Sequence, residues 1–139
     1  MRKENLAILL QDGSDNRNNK SFVLEVVKQY GILLGYASDE LRNDKEVVLA
    51  AVQNDCDALK YASEELKNDK EVVLTAIKSE WYNGPVMQST PKYGFSFQQA
   101  SEELKKDPEI IEAAKLVMYN GMTEEELENR NSVLYSKKV

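Results

Sequence analysis

One stretch of this chain is written twice with few changes, and that repetition limits the possible folds more than any other feature. Residues 44–52 read DKEVVLAAV and residues 69–77 read DKEVVLTAI, an offset of 25. At the same offset, YASDELRN at 36–43 returns as YASEELKN at 61–68. ASEELKND at 62–69 then returns as ASEELKKD at 100–107, an offset of 38. Copies at a fixed spacing are typical of repeat proteins, in which each copy forms one unit that stacks on the next.

Each copy opens with the signals of a helix start. Asp44, Asp69 and Asp107 can accept hydrogen bonds from the first helical turn, and a glutamate two residues later suits the helix dipole. Apolar residues then recur three and four positions apart, as in the run 47–52. A strand would need strict alternation, which these runs lack. The pattern therefore predicts an all-α fold.

We predict that residues 1–139 form one domain, a short α-solenoid of about four tandem helical repeats of period 25 with one 13-residue insertion. In each repeat a first helix is followed by a shorter one that breaks near the position of Ser63, whose side chain would cap a final turn. The repeats span about 19–43, 44–68, 69–106 and 107–121, between an N-terminal helix at 3–11 and a C-terminal helix at 123–135. The side chains predicted to lie buried between neighbouring first helices are Leu41, Leu66, Leu104, Tyr36 and Tyr61.

The repeat unit resembles a known bacterial family. The run DKEVVLAAV, followed by ALKYASEELKND, is similar to domain of unknown function 4116 (DUF4116), which is built from tandem copies of such a unit. The resemblance covers about residues 19–117, and the insertion in the third repeat and the degenerate second half of the fourth depart from it. It implies helical repeats in uncharacterised proteins, some from bacteria that live inside host cells. It supplies no activity and no catalytic residues.

Charge and cysteine content restrict the partners and the compartment. The net charge is −6 with no basic stripe, which disfavours nucleic acid and anionic membrane surfaces as partners. No apolar run reaches the roughly 20 residues that span a bilayer. The single cysteine, Cys56, suits a reducing compartment. We therefore predict a cytoplasmic protein, with export by a route that needs no signal peptide as the alternative.

The residue types that catalysis most often requires are missing. The chain has no histidine, and its six glycines are scattered singly. A Ser-His-Asp site, a Cys/His zinc site and a phosphate loop are therefore not expected. The run 12–20 is predicted as an ordinary loop, because Arg17 and Val23 stand where a calcium loop needs glycine and glutamate. We therefore predict that the protein is not an enzyme and that it binds no cofactor and no metal. Cys56 is expected to be a small apolar residue at a helix end, with a reactive thiol as the alternative.

The insertion is the one irregular feature. Residues 82–94 hold two of the three prolines and two of the six glycines, so we predict a loop there. Insertions in repeat proteins often form the binding face, and aromatic residues are common at binding hot spots. The rings would either fold back onto the third repeat or present a recognition surface, and both can hold at once. The insertion and its flanks carry five of the eleven aromatic residues, which are the candidate binding residues: Trp81, Tyr82, Tyr93, Phe95 and Phe97.

The expected function is a non-enzymatic protein–protein interaction or scaffolding module whose partner is another protein. One alternative is an enzyme or small-ligand binder with a pocket beneath the insertion. Another is a purely structural repeat or a host-directed bacterial protein. Neither the partner's identity nor the oligomeric state follows from the sequence.

Overall fold

The computed structural model describes residues 2–11, 15–83 and 94–119, and no strand occurs within these ranges. The prediction of an all-α fold is confirmed for this part of the chain. The α-helices are α1 (Lys3–Gln11), α2 (Lys20–Gln29), α3 (Asp39–Arg42), α4 (Lys45–Asn54), α5 (Glu64–Lys67), α6 (Lys70–Asn83), α7 (Gly94–Gln99) and α8 (Pro108–Tyr119). The 3-10 helices are Asp15–Asn18, Gly31–Tyr36, Cys56–Tyr61 and Leu104–Lys106.

The predicted caps begin the long helices. The Asp44 and Asp69 carboxylates each accept a hydrogen bond at 3.2 Å from an N–H group of the first turn. Asp107 accepts one at 2.9 Å, and Asn19 accepts one at 3.1 Å through its amide oxygen. These bonds satisfy N–H groups that have no partner inside a helix.

The four helices that follow these caps stack in chain order. Helix α4 packs between α2 and α6, and α6 packs between α4 and α8. The apolar residues that recur three and four positions apart in these helices are buried, because the inner helices have a neighbour on two sides. The fully buried side chains of this core include Val23, Val26, Val27, Val47, Val48, Val52, Val72, Ile77 and Ile110.

The predicted second helix is two short pieces. Residues Cys56–Tyr61 form a 3-10 helix, and Ala62 and Ser63 are extended before α5 begins. The Ser63 hydroxyl accepts a hydrogen bond from the Leu66 N–H group at 3.2 Å, which confirms the predicted break and cap. The leucines predicted to be buried here are buried: Leu41, Leu66 and Leu104.

The burial predicted for Tyr36 is wrong, since 39% of this residue is exposed. A 3-10 helix has three residues per turn, so Leu34 and Ala37 share its inner side and Tyr36 falls outside. Tyr61 is half-buried, and its ring lies close to Gly35.

Hydrogen bonds join the capping serines to the preceding unit. The Ser63 N–H group donates to the Arg42 carbonyl at 3.0 Å, and its hydroxyl donates to Asn43 Oδ1 at 2.5 Å. The equivalent backbone bonds run from Ser38 to Arg17 and from Ser101 to Lys67. The equivalent side-chain bonds run from Ser38 to Asn18 and from Ser101 to Asn68.

Salt bridges join the N-terminal ends of the long helices. Lys45 Nζ lies 3.0 Å from Asp69 Oδ2 and 2.7 Å from Glu71 Oε2, so the start of α4 contacts the start of α6. Lys20 links α2 to α4, and Lys70 links α6 to α8, in the same manner. We refer to these contacts as the lysine links.

The lysine links should make stability fall in acid. Burial alone would raise the pKa of Asp44, but hydrogen bonds from Lys20 and from the Val47 N–H group lower it below the ordinary value of 3.8. The pKa values of Asp69 and Asp107 are lowered in the same way. A carboxylate with a lowered pKa stabilises the fold while it is ionised, so the contribution is present above about pH 4 and is lost as the pH falls through the lowered values.

The test is the triple variant D44N/D69N/D107N. Asparagine keeps the helix cap, as Asn19 shows, but it cannot titrate. We expect its free energy of unfolding, measured in urea, to fall less between about pH 4 and pH 2 than that of the wild type. The control is Asp39→Asn, which changes an exposed aspartate outside the lysine links. An acid loss as large in the triple variant as in the wild type would contradict the prediction.

The helices enter the insertion from both sides. Helix α6 continues to Asn83 and α7 begins at Gly94, so the loop predicted over 82–94 is wrong at residues 82, 83 and 94. Residues 84–93 lie outside the described part of the chain. So do residues 120–121, where the fourth repeat was predicted to end, and the predicted C-terminal helix at 123–135. The N-terminal helix predicted at 3–11 is confirmed as α1.

None of the helices described here is both long enough and apolar enough to cross a lipid bilayer.

Candidate functional site

The C-terminal flank of the insertion, α7, separates two of the predicted binding residues. Phe97 is buried in the core, whereas 46% of Phe95 is exposed. Residues two positions apart in a helix point in different directions, so burying one ring turns the other toward solvent. Trp81 and Tyr82 lie on the last turn of α6, but their side chains, like Tyr93, are outside the described part of the structure.

The position of Phe97 follows from the repeated sequence. At the offset of 38, Phe97 corresponds to Leu59, and at the offset of 25 Leu59 corresponds to Leu34. Both leucines are fully buried. Phe97 is therefore a core residue of the third unit and not part of the insertion's surface. Extending the match at 100–107 three residues upstream would have shown this in the sequence.

Glu80 holds the start of α7. Its Oε1 accepts a hydrogen bond from the Phe95 N–H group at 2.9 Å, and its Oε2 accepts one from the Ser96 N–H group at 3.3 Å. A carboxylate at this place satisfies N–H groups of the first turn and suits the helix dipole. Helix α7 also packs against α6, α8 and the 3-10 helix Cys56–Tyr61. Phe95 is therefore presented from a well-anchored segment.

Ser96 is a buried hydroxyl at a position that is apolar in the other units. It is 1% exposed, and its hydroxyl lies within hydrogen-bonding reach of the Cys56 sulfur. The corresponding residues are Ala58 and Leu33, both buried.

The Cys56 thiol lies beside Ser96 and among carboxylates. Burial, followed by the charges of Glu80, Asp57 and Asp55, raises the pKa of Cys56 to about 12, against a hydrogen bond with the Ser96 hydroxyl that lowers it. The charges of Asp55 and Asp57 therefore disfavour the thiolate, although burial is the larger cause. A thiol with this pKa is protonated at neutral pH, which argues against the reactive-thiol alternative. Cys56 also begins a 3-10 helix, two residues beyond the end of α4.

Potential ligand atoms converge at this thiol. One oxygen each from Asp55 and Asp57 and the Cys56 sulfur all lie within 4.8 Å of one another. Within the described ranges, no lysine or arginine forms a salt bridge with Asp55, Asp57 or Glu80. The approach of Glu80 and Ser96 to Cys56 was not predicted, because both residues are remote from Cys56 along the chain. The serine that replaces an apolar residue was the available signal.

Comparisons with known proteins bear on the repeated region. The model of the family described as "Domain of unknown function (DUF4116)" matches residues 19–66 and, as a second match, residues 46–84. No curated protein and no solved structure matches the chain.

Proposed function

We propose that the chain is a non-enzymatic protein-interaction or scaffolding module, because its residues 19–84 match the DUF4116 family model and its long helices stack in series. The architecture in this proposal is a short α-solenoid of about four repeats of period 25. A bacterial source, a cytoplasmic location and another protein as partner are parts of the same proposal.

Equivalent contacts between successive units support the solenoid. The lysine links and the serine hydrogen bonds recur between corresponding residues of neighbouring units. Pro108 stands where Lys45 and Lys70 begin the preceding long helices, so the series of lysine links ends with α8. Stacked repeats of this kind offer extended surfaces to partners.

The exposure of Phe95 carries the proposal that this surface binds a protein. An aromatic ring adds large contact area when a partner covers it, and a ring on a fixed segment loses little freedom in binding. Glu80 fixes the segment through two backbone hydrogen bonds, and Phe97 anchors it in the core. This combines the two alternatives for the insertion, because one ring secures the segment and the other faces outward.

The variant Phe95→Ser should remove partner capture without unfolding the protein. We would compare it with the wild type in pull-downs from a bacterial lysate, with quantitative mass spectrometry of the captured proteins and matched helicity by circular dichroism. We expect a defined set of partners to fall at least tenfold, as truncation of an aromatic hot spot usually causes.

The matched control is Leu116→Ser, which changes another exposed apolar residue on a different helix, α8. It should leave capture of the same proteins unchanged. Equal capture by Phe95→Ser and the wild type would refute the role of Phe95. Equal loss in both variants would indicate non-specific adhesion and would count against the proposal.

A further inference from the structure

The exposed carboxylate of Asp57 has no basic partner, although a lysine stands within reach along the chain. On α3, Asp39 forms a salt bridge with the basic residue three positions later, Arg42, and α5 repeats this pairing. Lys60 holds that position relative to Asp57, but its Nζ lies 5.0 Å from the centroid of the Tyr61 ring. Asp57 forms no salt bridge within the described ranges. Its charge therefore remains open to a cation from another molecule.

Phe95 occupies the equivalent place in the next unit of the stack. At the offset of 38 it corresponds to Asp57, and α7 packs against the 3-10 helix Cys56–Tyr61. Both segments bury the two residues that follow, which are 58–59 in one and 96–97 in the other. Asp57 and Phe95 are both exposed. The carboxylate and the aromatic ring therefore belong to the same side of two adjacent units.

Glu80 supplies a second carboxylate at this place. Its two oxygens accept hydrogen bonds from the Phe95 and Ser96 N–H groups at 2.9 and 3.3 Å, so the side chain lies at the start of α7. No lysine or arginine of the described residues forms a salt bridge with it. An exposed ring thus lies in a region of negative charge, which attracts a cationic partner segment and repels an anionic one.

We propose that this surface binds a basic segment of a protein partner, with an arginine that stacks on the Phe95 ring and pairs with the Asp57 carboxylate. The proposal rests on the protein-binding function proposed above and specifies the chemistry of the partner. Arginine suits both parts of the surface, because its planar guanidinium stacks on aromatic faces and donates two parallel hydrogen bonds to a carboxylate. A purely apolar segment would cover the ring but leave Asp57 without a counter-charge.

Titration with a synthetic peptide tests the proposal directly. The probe is a fluorescein-labelled decapeptide of alternating arginine and glycine, titrated with the full chain and followed by fluorescence anisotropy. Salt at about 0.15 M screens the attraction to distant charges of the protein. We expect saturable binding, and several-fold weaker binding of the same peptide with lysine in place of arginine. No saturation up to millimolar protein, or equal binding of the two peptides, would overturn the proposal.

Two charge reversals separate this surface from the net charge of the chain. Asp57→Lys and the control Glu25→Lys change the net charge equally, and Glu25 is an exposed carboxylate on α2. We expect Asp57→Lys to weaken binding of the arginine peptide about tenfold, and Glu25→Lys to change it less than about twofold. Equal losses in the two variants would show that the peptide responds to net charge alone, and the proposed site would be wrong.

Phe95→Leu tests the stacking on the ring. Leucine keeps an apolar side chain at this position but has no aromatic face, so the variant should bind the arginine peptide several-fold more weakly. It should also lose most of the preference for arginine over lysine. All variants would first be shown to match the wild type in helicity by circular dichroism. A preference as large in Phe95→Leu as in the wild type would exclude the stacked arginine.

The same variants in the lysate pull-downs distinguish the two proposals. If Phe95→Ser leaves capture unchanged, the protein-binding function is refuted, whatever the peptide binds. If Phe95→Ser removes a set of captured proteins and Asp57→Lys retains all of them, protein binding at Phe95 stands and the basic partner segment is refuted. Loss of the same proteins in both variants, with Glu25→Lys unchanged, is the result that we expect.

Discussion

Replacing Gly31 with alanine should lower the free energy of unfolding by about 3 kcal/mol, at the upper end of what overpacking a core usually causes. A Cβ atom at this position would lie 2.2 Å from the Ala51 carbonyl oxygen and 3.1 Å from Asp55 Cβ. The Ala51 carbonyl has little room to retreat, because it accepts the hydrogen bond from the Asp55 N–H group at 2.9 Å that ends α4. The backbone at Gly31 is also held, since its own N–H group donates to Asn54 Oδ1 at 2.7 Å.

The measurement is urea denaturation followed by circular dichroism, with two control variants. Cys56→Ala changes the corresponding position of the next unit, where a side chain is already accommodated, and should alter stability far less. Gly35→Ala places a Cβ 3.0 Å from the Tyr61 ring, which is half-buried and can shift, so its loss should be about 1 kcal/mol. A Gly31→Ala variant as stable as Cys56→Ala would contradict this prediction. It would show that the backbone at Gly31 can move away from the end of α4 without a loss of stability.

Replacing Leu59 with alanine should also cost about 3 kcal/mol of unfolding free energy, the middle of the range for buried leucines. Leu59 is fully buried in the 3-10 helix Cys56–Tyr61, and this helix packs against α4, α6 and α7 at once. Truncation would remove contacts with several elements and leave a cavity. Because helices surround this position on several sides, they cannot easily move inward to fill it.

The control is Leu116→Ala on α8, where more than half of the leucine is exposed. It should change the free energy of unfolding by less than about 0.5 kcal/mol. Both variants would be measured by the same urea denaturation and compared with the wild type. A Leu59→Ala loss no larger than that of Leu116→Ala would mean that this short helix contributes little to the core.

Much of the fold could be predicted because its signals are local. The caps at Asp44, Asp69 and Asp107 need only a side chain that reaches its own first turn, and all three are as predicted. The buried valines follow from helical periodicity, which a sequence displays directly. Tyr36 was misplaced because its segment is a 3-10 helix, whose shorter turn assigns residues to different sides.

The candidate site could be predicted only in part, because it depends on contacts between distant segments. Composition and periodicity do not reveal that Ser96 lies beside Cys56 or that Glu80 caps α7. They also did not separate Phe95, which is exposed, from Phe97, which is in the core. Those assignments depend on where α7 returns to the stack after the insertion.

By itself the sequence determined that the described part of this chain is helical, where its long helices begin and which of their residues are buried. Each of these features depends on interactions within one helical turn or on the helical period. The residues involved therefore lie close together along the chain. Only the tertiary structure decided that the Glu80 carboxylate and the Ser96 hydroxyl meet the Cys56 thiol. The physical reason is that such a meeting requires α4, α6 and α7 to pack together, and packing is a property of the whole stack.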